Sequence, residues 1–368
     1  MRVNFFDLKV KRKKVRTDLI KSVTKIFNHG RVLLGPEVDK FEKKIAQMVG
    51  VKYALGTGSG SSALYLALKS IGVKEGDEVI TTPNTWIITL NAIASCGAIP
   101  ICVDITDDFN MNADQIEKAI TKKTKAIVPV HFTGLMCKMT QIQSIAKKYN
   151  LKIVEDCAQA FNGTHNGKRA GTFSHVAAFS FNVMKNVGGF GEAGAITTND
   201  KKIYELIKML RYTGTKSDPK KIITNDAYHI ALNHKIDTLN AALLLVMLKY
   251  FPSRMKRRLE IARTYNRELS NYVLCPEIEK NGDTHGLYTY AIQCKKRDKL
   301  MNYLSKNKIE TKIYHKPLAS DAPVFKKFKR FKTPIANKVL SESLSIPCHE
   351  KMTDAQVQYV IKKIKKFF

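Results

Sequence analysis

The sequence lacks the patterns of a membrane protein, a secreted protein or a metal site. No run of about 18 apolar residues is present, so no membrane-spanning helix is predicted. The N-terminal stretch MRVNFFDLKVKRKKVR has no apolar segment of the kind that a secretory signal requires. The cysteines form no CxxC pair and no Cys/His metal spacing; they are Cys96, Cys102, Cys137, Cys157, Cys275, Cys294 and Cys348. We expect a cytoplasmic protein with reduced thiols, no membrane partner and no metal.

Acidic residues are few relative to basic ones. The 368 residues include 62 lysines and arginines against 32 aspartates and glutamates, a formal net charge of +30. The basic residues are spread along the whole chain, and no nucleic-acid-binding motif accompanies them. This distribution favours a lysine-rich solvated surface over a nucleic-acid binder. It would also attract an anionic substrate, such as one with a diphosphate.

The chain is long enough for two domains, or for one large α/β domain with an appendage, and its 44% hydrophobic residues can fill a core. Up to about Gly194, short apolar strands alternate with amphipathic helices, which is typical of a doubly wound, mostly parallel sheet in an α/β fold. Residues 235–272 predict one long helix, broken or kinked near Pro252. The short strands and helices that follow predict a smaller α+β domain. We predict a large domain over residues 1–250 and a small one over residues 251–368.

Polar residues stand at the predicted carboxyl ends of several strands, where open α/β sheets bind ligands. The Gly/Ser turn at residues 59–62 begins a helix, whose N-terminal N–H groups suit a phosphate. Asp156 stands at the end of the predicted strand KIVEDC. Ser180 and Lys185 belong to the stretch AAFSFNVMK, and Trp86 stands at a strand-to-helix turn. Each has a structural alternative when taken alone, such as a cap for Asp156 and core packing for Trp86.

One cofactor accounts for these residues together. Pyridoxal 5'-phosphate needs a lysine to form a Schiff base and a carboxylate beside its pyridine nitrogen. It also needs a helix N-terminus for its phosphate and an aromatic ring against its face. The chain offers all four. We therefore predict that Lys185, which follows an apolar strand, is the lysine that binds pyridoxal phosphate.

Long stretches of the sequence match a known family in the family's own order, from about residue 32 to about residue 360. They are LGPEVDKFEKKIA, GTGSGSSALYLALKSIGVKEGDEVITTPNTWIITLNAI, AIVPVHFTG, IVEDCAQAFNG, AAFSFNVMKNVGGFGEAGAITTND, LNHKIDTLNAALL and LSIPCHEKMT. In these segments the chain resembles the DegT/DnrJ/EryC1/StrS sugar aminotransferases, a branch of the fold-type I pyridoxal phosphate enzymes. The most specific match is EDCAQA followed by FSFNVMKN, in which Lys185 stands 29 positions after Asp156.

This resemblance implies an aspartate-aminotransferase-like large domain with a mostly parallel mixed sheet, plus a smaller C-terminal α+β domain. It makes Lys185 the imine-forming lysine and the carrier of the transferred proton. It places Asp156 beside the pyridine nitrogen, Gln159 near the phenolic oxygen and Trp86 against the ring face. The matches to phosphate contacts are Gly60, Ser61, Ser180 and Asn233. Because the family's asparagine reaches the phosphate from the neighbouring subunit, Asn233 implies a homodimer with shared active sites.

Several segments depart from the family pattern without removing a catalytic group. The chain has GEAGA at 191–195 where GDGGA is common, and NHK at 233–235 where Asn-x-Arg is common. It has VMKN in place of PxKN. Residues 312–320, KIYHKPLAS, only loosely follow the family's His-Tyr-Pro substrate loop. In the family, these segments line the side of the site that binds the sugar. The identity of the sugar substrate is therefore not inferred from other members of the family.

The resemblance implies an aminotransferase in amino-sugar or surface-glycan biosynthesis. Glutamate, or glutamine, is expected to donate an amino group to a nucleotide-linked keto-6-deoxysugar. The loop GSGSSAL slightly favours amination at C4, because some C3-acting relatives carry NGLDAL there. Family members that dehydrate or deoxygenate sugars have histidine where this chain has Lys185. The alternative of another class is a non-catalytic regulatory protein that kept the cofactor fold, and the intact Lys185, Asp156 and Gln159 argue against it.

Overall fold

The computed structural model describes residues 1–216, 225–280 and 282–368. Its helices are α1 (Lys13–His29), α2 (Pro36–Val49), α3 (Gly60–Ser70), α4 (Ile88–Ser95), α5 (Ile116–Ala119), α6 (Met139–Lys148), α7 (Lys201–Arg211), α8 (Thr238–Leu269), α9 (Arg297–Lys306), α10 (Pro334–Glu342) and α11 (Asp354–Phe367). Its strands are β1 (Tyr53–Thr57), β2 (Glu78–Thr81), β3 (Ile99–Cys102), β4 (Thr124–Ile127), β5 (Lys152–Asp156), β6 (Thr164–His165), β7 (Lys168–Arg169), β8 (Val176–Ser180), β9 (Gly194–Thr198), β10 (Glu279–Lys280), β11 (Asp283–Thr284), β12 (Tyr290–Gln293) and β13 (Ser343–Ile346).

Seven strands form the main sheet, in the order β1-β9-β8-β5-β4-β2-β3. The strands from β8 to β3 run parallel to one another, whereas β9 is antiparallel to both β1 and β8. This confirms the predicted mostly parallel mixed sheet. In the parallel pair β5–β8, Asp156 lies opposite Ala178, so the carboxyl ends of these two strands meet at one edge. The predicted site residues Asp156 and Ser180 stand at that edge.

The central strands bury side chains on both faces of the sheet. Along β5, Ile153 packs with α2 and α8 on one face, and Val154 packs with α3, α4 and α7 on the other. The same alternation holds in β8, where Val176 and Ala177 fall into the two different clusters. Because successive residues of a strand point to opposite faces, continuous apolar runs are what such a doubly covered sheet requires.

Three elements differ from the sequence-based expectation. The predicted strand KAIVPVHF forms a continuous ladder only up to Ile127, since Pro129 has no N–H to donate, and Val130 then pairs with Asp156 as an isolated bridge. Helix α8 runs through Pro252 without a break, with Phe251 and Met255 buried on its inner face. Helix α1 was not predicted.

The C-terminal part has its own small sheet, in which β12 and β13 pair antiparallel. The division into domains at residue 250 stays a prediction. Within the described part of the chain, no helix combines the length and apolarity needed to cross a bilayer.

Candidate active site

Asp156, at the end of β5, is a buried carboxyl group held by two hydrogen bonds. It accepts one from the Thr89 hydroxyl at 2.9 Å and one from the Ala158 N–H at 3.1 Å. Burial raises the pKa of Asp156, while these hydrogen bonds and the positive charge of Lys185 act in the opposite direction. A cation placed beside this carboxyl group would therefore stabilise its ionised form.

Lys185 lies in the turn that follows β8, and its side chain is directed into the protein. Burial lowers the pKa of Lys185 to about 8, although the negative charges of Asp156 and Glu192 raise it. Its Nζ lies 4.3 Å from the centroid of the Tyr288 ring. A substantial fraction of the amine is therefore neutral near pH 8, as a nucleophile or proton acceptor requires.

The N-terminus of α3 contacts the end of β8. Ser59 caps the helix by accepting a hydrogen bond from the Ser62 N–H at 3.0 Å. A Cβ atom on Gly60 would lie 2.6 Å from the Cβ of Ser180 and 2.9 Å from its Oγ, so a larger residue would collide with Ser180. Ser61 is exposed in the same turn. The first turn of α3 and the Ser180 hydroxyl thus lie together, where the helix dipole favours an anion.

Gln159 is buried and its amide has a fixed orientation. Its side-chain oxygen accepts a hydrogen bond from the Thr133 N–H at 2.8 Å. Since a backbone N–H only donates, the NH₂ group of Gln159 must point the other way, where it is a donor. Thr133 has a left-handed backbone with φ of 59°, a conformation that a tightly packed surrounding has to maintain.

Trp86 and His315 form an aromatic pair at the mouth of the site. The Trp86 side chain is 57% exposed, and its ring centroid lies 5.2 Å from that of His315. The Nε2 atom of His315 is buried and has no hydrogen-bond partner among the described residues. Burial lowers the pKa of His315 to about 4, and the charge of Lys185 contributes in the same direction. The imidazole near Lys185 is therefore neutral, and its Nε2 has no hydrogen-bond partner among the described residues.

His315 was missed by the sequence analysis. Its only signal was its place in segment 312–320, which departs from the family's substrate loop. Thr89 and Tyr288 were missed as well, since no motif links them to the residues that they contact.

Asn233 lies apart from these side chains, in an exposed part of the loop before α8. Its Oδ1 accepts a hydrogen bond from the Lys235 N–H at 3.3 Å. The backbone of this loop is tied to the α3 turn, because the Gly58 N–H donates to the His234 carbonyl at 2.8 Å. His234 Nδ1 also lies 3.0 Å from Ser62 Oγ. The loop is therefore close to the predicted phosphate site of its own chain.

A buried cluster of His131, Glu155 and Cys157 has metal-ligand chemistry, but its hydrogen bonds are already used. His131 Nδ1 accepts from the Cys137 N–H at 3.2 Å, so Nε2 carries the proton that it donates to Glu155 at 3.0 Å. Burial raises the pKa of the Cys157 thiol well above its usual value. The cluster thus holds the end of β5, next to Asp156, with no free ring nitrogen for a metal.

These groups fit pyridoxal phosphate. An amine of lowered pKa and a buried acid are electrostatically coupled at adjacent strand ends, and a helix N-terminus meets a serine hydroxyl beside them. The chemistry of this donor set is what a Schiff-base lysine, a pyridinium partner and a phosphate cradle require.

Comparison with known proteins agrees with this chemistry. The sequence model of the DegT/DnrJ/EryC1/StrS aminotransferase family matches residues 13–365. The "Pleiotropic regulatory protein" of Geobacillus stearothermophilus is 36% identical over 377 residues, which cover 100% of this chain and 99% of that protein. The dTDP-3-amino-3,6-dideoxy-alpha-D-galactopyranose transaminase of Aneurinibacillus thermoaerophilus is 33% identical over 366 residues, 99% of each.

A solved structure shows the same fold with a cofactor. The crystal structure of NtdA from Bacillus subtilis, with bound cofactor PMP, matches with a TM-score of 0.91 and 28% identity. The match covers 99% of this chain and 85% of that one. The chain belongs to the DegT/DnrJ/EryC1/StrS aminotransferase family and is a pyridoxal-phosphate-dependent sugar aminotransferase.

Proposed function

We propose that this enzyme transfers the amino group of glutamate to the ketone of a nucleotide-linked keto-6-deoxysugar. The observation that carries the proposal is the coupling of Lys185, with a pKa of about 8, to the buried carboxyl group of Asp156. An amine that exchanges its proton near neutral pH is suited to moving a proton at the substrate's carbon atom. Asp156 supplies the matching negative charge on the other side of the site.

Each predicted residue then has a task toward the cofactor. Bound pyridoxal phosphate supplies an electron sink and a group that carries nitrogen from one substrate to the other. Lys185 holds the cofactor and moves the proton at the α-carbon of the amino donor. Asp156 keeps the ring nitrogen protonated, and the NH₂ group of Gln159 donates to the phenolic oxygen. The phosphate is bound by the α3 N-terminus, with Gly60, Ser61 and Ser180, and the ring is covered by Trp86.

Two observations bear on the sugar acceptor, and they favour different carbon atoms of the sugar as the position of the new amino group. The name of the Aneurinibacillus relative specifies a dTDP-linked 3-amino-3,6-dideoxy sugar, which supports a 6-deoxy substrate and amination at C3. The loop GSGSSAL, by contrast, slightly favours C4. The position of the new amine has to be read from the product.

The proposed assembly is a homodimer in which Asn233 reaches the phosphate of the partner subunit. The exposed position of the Asn233 side chain supports this role, because among the described residues its side chain forms a hydrogen bond only with the Lys235 backbone N–H.

The function is tested by product analysis. The holoenzyme is incubated with glutamate or glutamine and a panel of UDP-, dTDP- and GDP-linked 3-keto- and 4-keto-6-deoxysugars, and the products are identified by mass spectrometry and NMR. We expect one aminated sugar and an equal amount of 2-oxoglutarate when glutamate is the donor. Lys185→Ala is the control and should give neither. If the parent enzyme's cofactor absorbance does not respond to either donor and no sugar is aminated, the protein is the non-catalytic alternative.

A further inference from the structure

Arg258, on the buried face of α8, is a charged side chain inside the protein. Only 5% of its surface is exposed, and its Nε donates to Glu350 Oε2 at 3.1 Å. Burial raises the pKa of Glu350, but the charges of Arg258 and Arg254 lower it to about 2, so Glu350 is an anion. A buried ion pair often stabilises a protein no more than apolar residues of the same volume would. The other contacts of this guanidinium are therefore informative.

The Nη1 atom of Arg258 donates to two segments that meet at the Lys185 amine. One acceptor is Asn186 Oδ1, at 2.8 Å, and the other is the Leu287 carbonyl, at 3.1 Å. Asn186 directly follows Lys185, and Leu287 directly precedes Tyr288. Because Lys185 Nζ lies 4.3 Å from the centroid of the Tyr288 ring, one guanidinium connects the backbone of the amine to the backbone of the ring that it contacts.

Asn186 makes the same connection by a second hydrogen bond. Its side chain is 5% exposed, and its Nδ2 donates to the Gly286 carbonyl while its Oδ1 accepts from Arg258. Since both ends of the amide have partners, its orientation is fixed. The turn that carries Lys185 is thus bound to the segment before Tyr288 directly, and through Arg258 as well.

Residues 286–288 give these bonds a fixed point of attachment. The Gly286 N–H donates to the Gly134 carbonyl at 2.8 Å. Leu287 has a left-handed backbone with φ of 47°, a conformation that tightly packed surroundings have to maintain. Because this segment is held on its other side, the hydrogen bonds of Arg258 restrain the Lys185 turn rather than the segment.

We propose that Arg258 is a positioning residue for Lys185. It holds the Lys185 turn, through Asn186, against the segment that carries Tyr288, and so keeps the amine inside the site. This inference rests on the proposed function, because that function makes Lys185 the residue that binds the cofactor and moves the proton. Loss of Arg258 removes no reacting atom but allows the turn to move the amine toward solvent.

Pulse labelling of the full-length, cofactor-free protein tests the position of the amine. Burial lowers the pKa of Lys185, and the charges of Asp156 and Glu192 raise it. A higher labelling midpoint with both acids in place therefore reports lost burial. Arg258→Met and Asn186→Leu each remove the hydrogen bond between these two side chains and keep much of the apolar volume. Each should raise the midpoint by at least one pH unit from the parental value near pH 8.

A control and a double variant show whether the contact itself is responsible. Arg257→Met is the matched control, since Arg257 is the neighbouring residue of α8 and donates to Asp354 at 2.6 Å. Its labelling midpoint should equal that of the parent. The double variant with Arg258→Met and Asn186→Leu should shift the midpoint by less than the sum of the single shifts, because both changes remove one shared contact. Fully additive shifts would contradict a shared action on Lys185.

The holoenzyme supplies a second measurement. The variants are loaded with pyridoxal phosphate and mixed with saturating glutamate, and stopped-flow absorbance follows the half-reaction. Arg258→Met and Asn186→Leu should react at least tenfold more slowly than the parent, and Arg257→Met should react at the parental rate. Glu350 keeps its contact with Arg254, at 2.7 Å, in Arg258→Met, and Asn186→Leu decides the result if that variant does not fold.

Urea unfolding of the same variants separates position from stability. A lower free energy of unfolding with an unchanged midpoint or an unchanged half-reaction rate would make Arg258 a structural residue only and would overturn the proposal. The labelling needs neither cofactor nor sugar, so its result is independent of the product analysis. Raised midpoints in a protein whose parent aminates no sugar would confirm the position of the Lys185 amine and show the proposed function to be wrong.

Discussion

At the scale of single residues, burial favours the neutral form of both groups to which we assign the proposed chemistry, Lys185 and Asp156. It lowers the pKa of Lys185 and raises the pKa of Asp156, while the attraction between their charges opposes both shifts. The two groups therefore titrate as a coupled pair rather than independently. The ionised fraction of each group depends on what else binds in the site. A cofactor with a protonated ring nitrogen would favour the ionised form of the Asp156 carboxyl group.

The lowered pKa of Lys185 predicts unusual reactivity in the cofactor-free protein. Only a neutral amine attacks an acylating reagent, and a pKa of about 8 leaves half of Lys185 neutral at pH 8. An unperturbed lysine, with a pKa of about 10.4, is about 0.4% neutral at that pH. Pulse labelling followed by peptide mass spectrometry should give a midpoint near pH 8 for Lys185, with reactivity lost below it. A midpoint near pH 10 would contradict the environment described for this residue.

Replacing Asp156 with asparagine tests the other half of the pair. Asp156→Asn removes the negative charge that raises the pKa of Lys185, so the labelling midpoint should move below that of the parent. The holoenzyme should still bind the cofactor. Its half-reaction with glutamate should slow by about 100-fold or more, because the ring nitrogen would lose the charge that keeps it protonated. Stopped-flow absorbance measures this rate, and a near-parental value would remove Asp156 from the proposed role.

At the scale of elements, the predicted phosphate site depends on how closely α3 approaches β8. Gly60→Ala should destabilise the cofactor-free protein by about 1–3 kcal/mol, because the new Cβ would lie 2.6 Å from the Ser180 Cβ. Ser180→Gly removes that atom, so the double variant should recover much of the loss. Urea unfolding of the single and double variants measures the coupling. Gly76→Ala is a control for an added methyl group in open space, although its φ of 81° adds backbone strain. Additive effects of Gly60→Ala and Ser180→Gly would contradict the contact.

The elements also show how far a sequence predicts this fold. Strands such as β5 and β8 were predictable because a strand that is buried on both faces has a continuous apolar sequence. The carboxyl ends of these strands then gave the positions of Asp156 and Ser180. Helix α1 was missed because basic residues surround its three buried residues, Val15, Leu19 and Ile26. The residues that surround the site were harder to predict from the sequence. Thr89 and His315 approach it from distant segments, and no local pattern states which long-range contacts a chain will form.

At the scale of the whole molecule, one surface of the chain has the character of an interface. Leu33, Ile230, Leu232 and Leu239 are large apolar side chains with 42% or more of their surface exposed. Leu33 pairs through its backbone with Asp237, two residues before Leu239, and Ile230 and Leu232 belong to the loop that leads to this point. Exposed apolar side chains grouped in this way mark surfaces that bind another protein. This supports the proposed homodimer, with Asn233 at its interface.

Mixing two inactive variants tests whether the active sites are shared. Lys185→Ala removes the amine that we propose binds the cofactor. Asn233→Asp would place a negative charge against the phosphate in the proposed site, which should weaken cofactor binding. If Asn233 serves the partner's site, each mixed dimer has one site with both defects and one with neither. Activity should then return on mixing, toward half of the parental value per mixed dimer, after the subunits exchange.

The alternative is that Asn233 acts within its own chain. The structure excludes one role there, that of a helix cap, and leaves another, a contact with the phosphate site of the same chain. It is not the cap of α8, because Asp237 fills that position and accepts from the Asn240 N–H at 2.6 Å. It could reach its own phosphate site, since the neighbouring His234 contacts the α3 turn. Each mixed dimer would then have one defect in each site, and mixing would recover nothing. Subunit exchange is shown separately, by native mass spectrometry of differently tagged chains. Exchange without recovered activity would therefore assign Asn233 to its own chain, whereas recovery would place it across the interface.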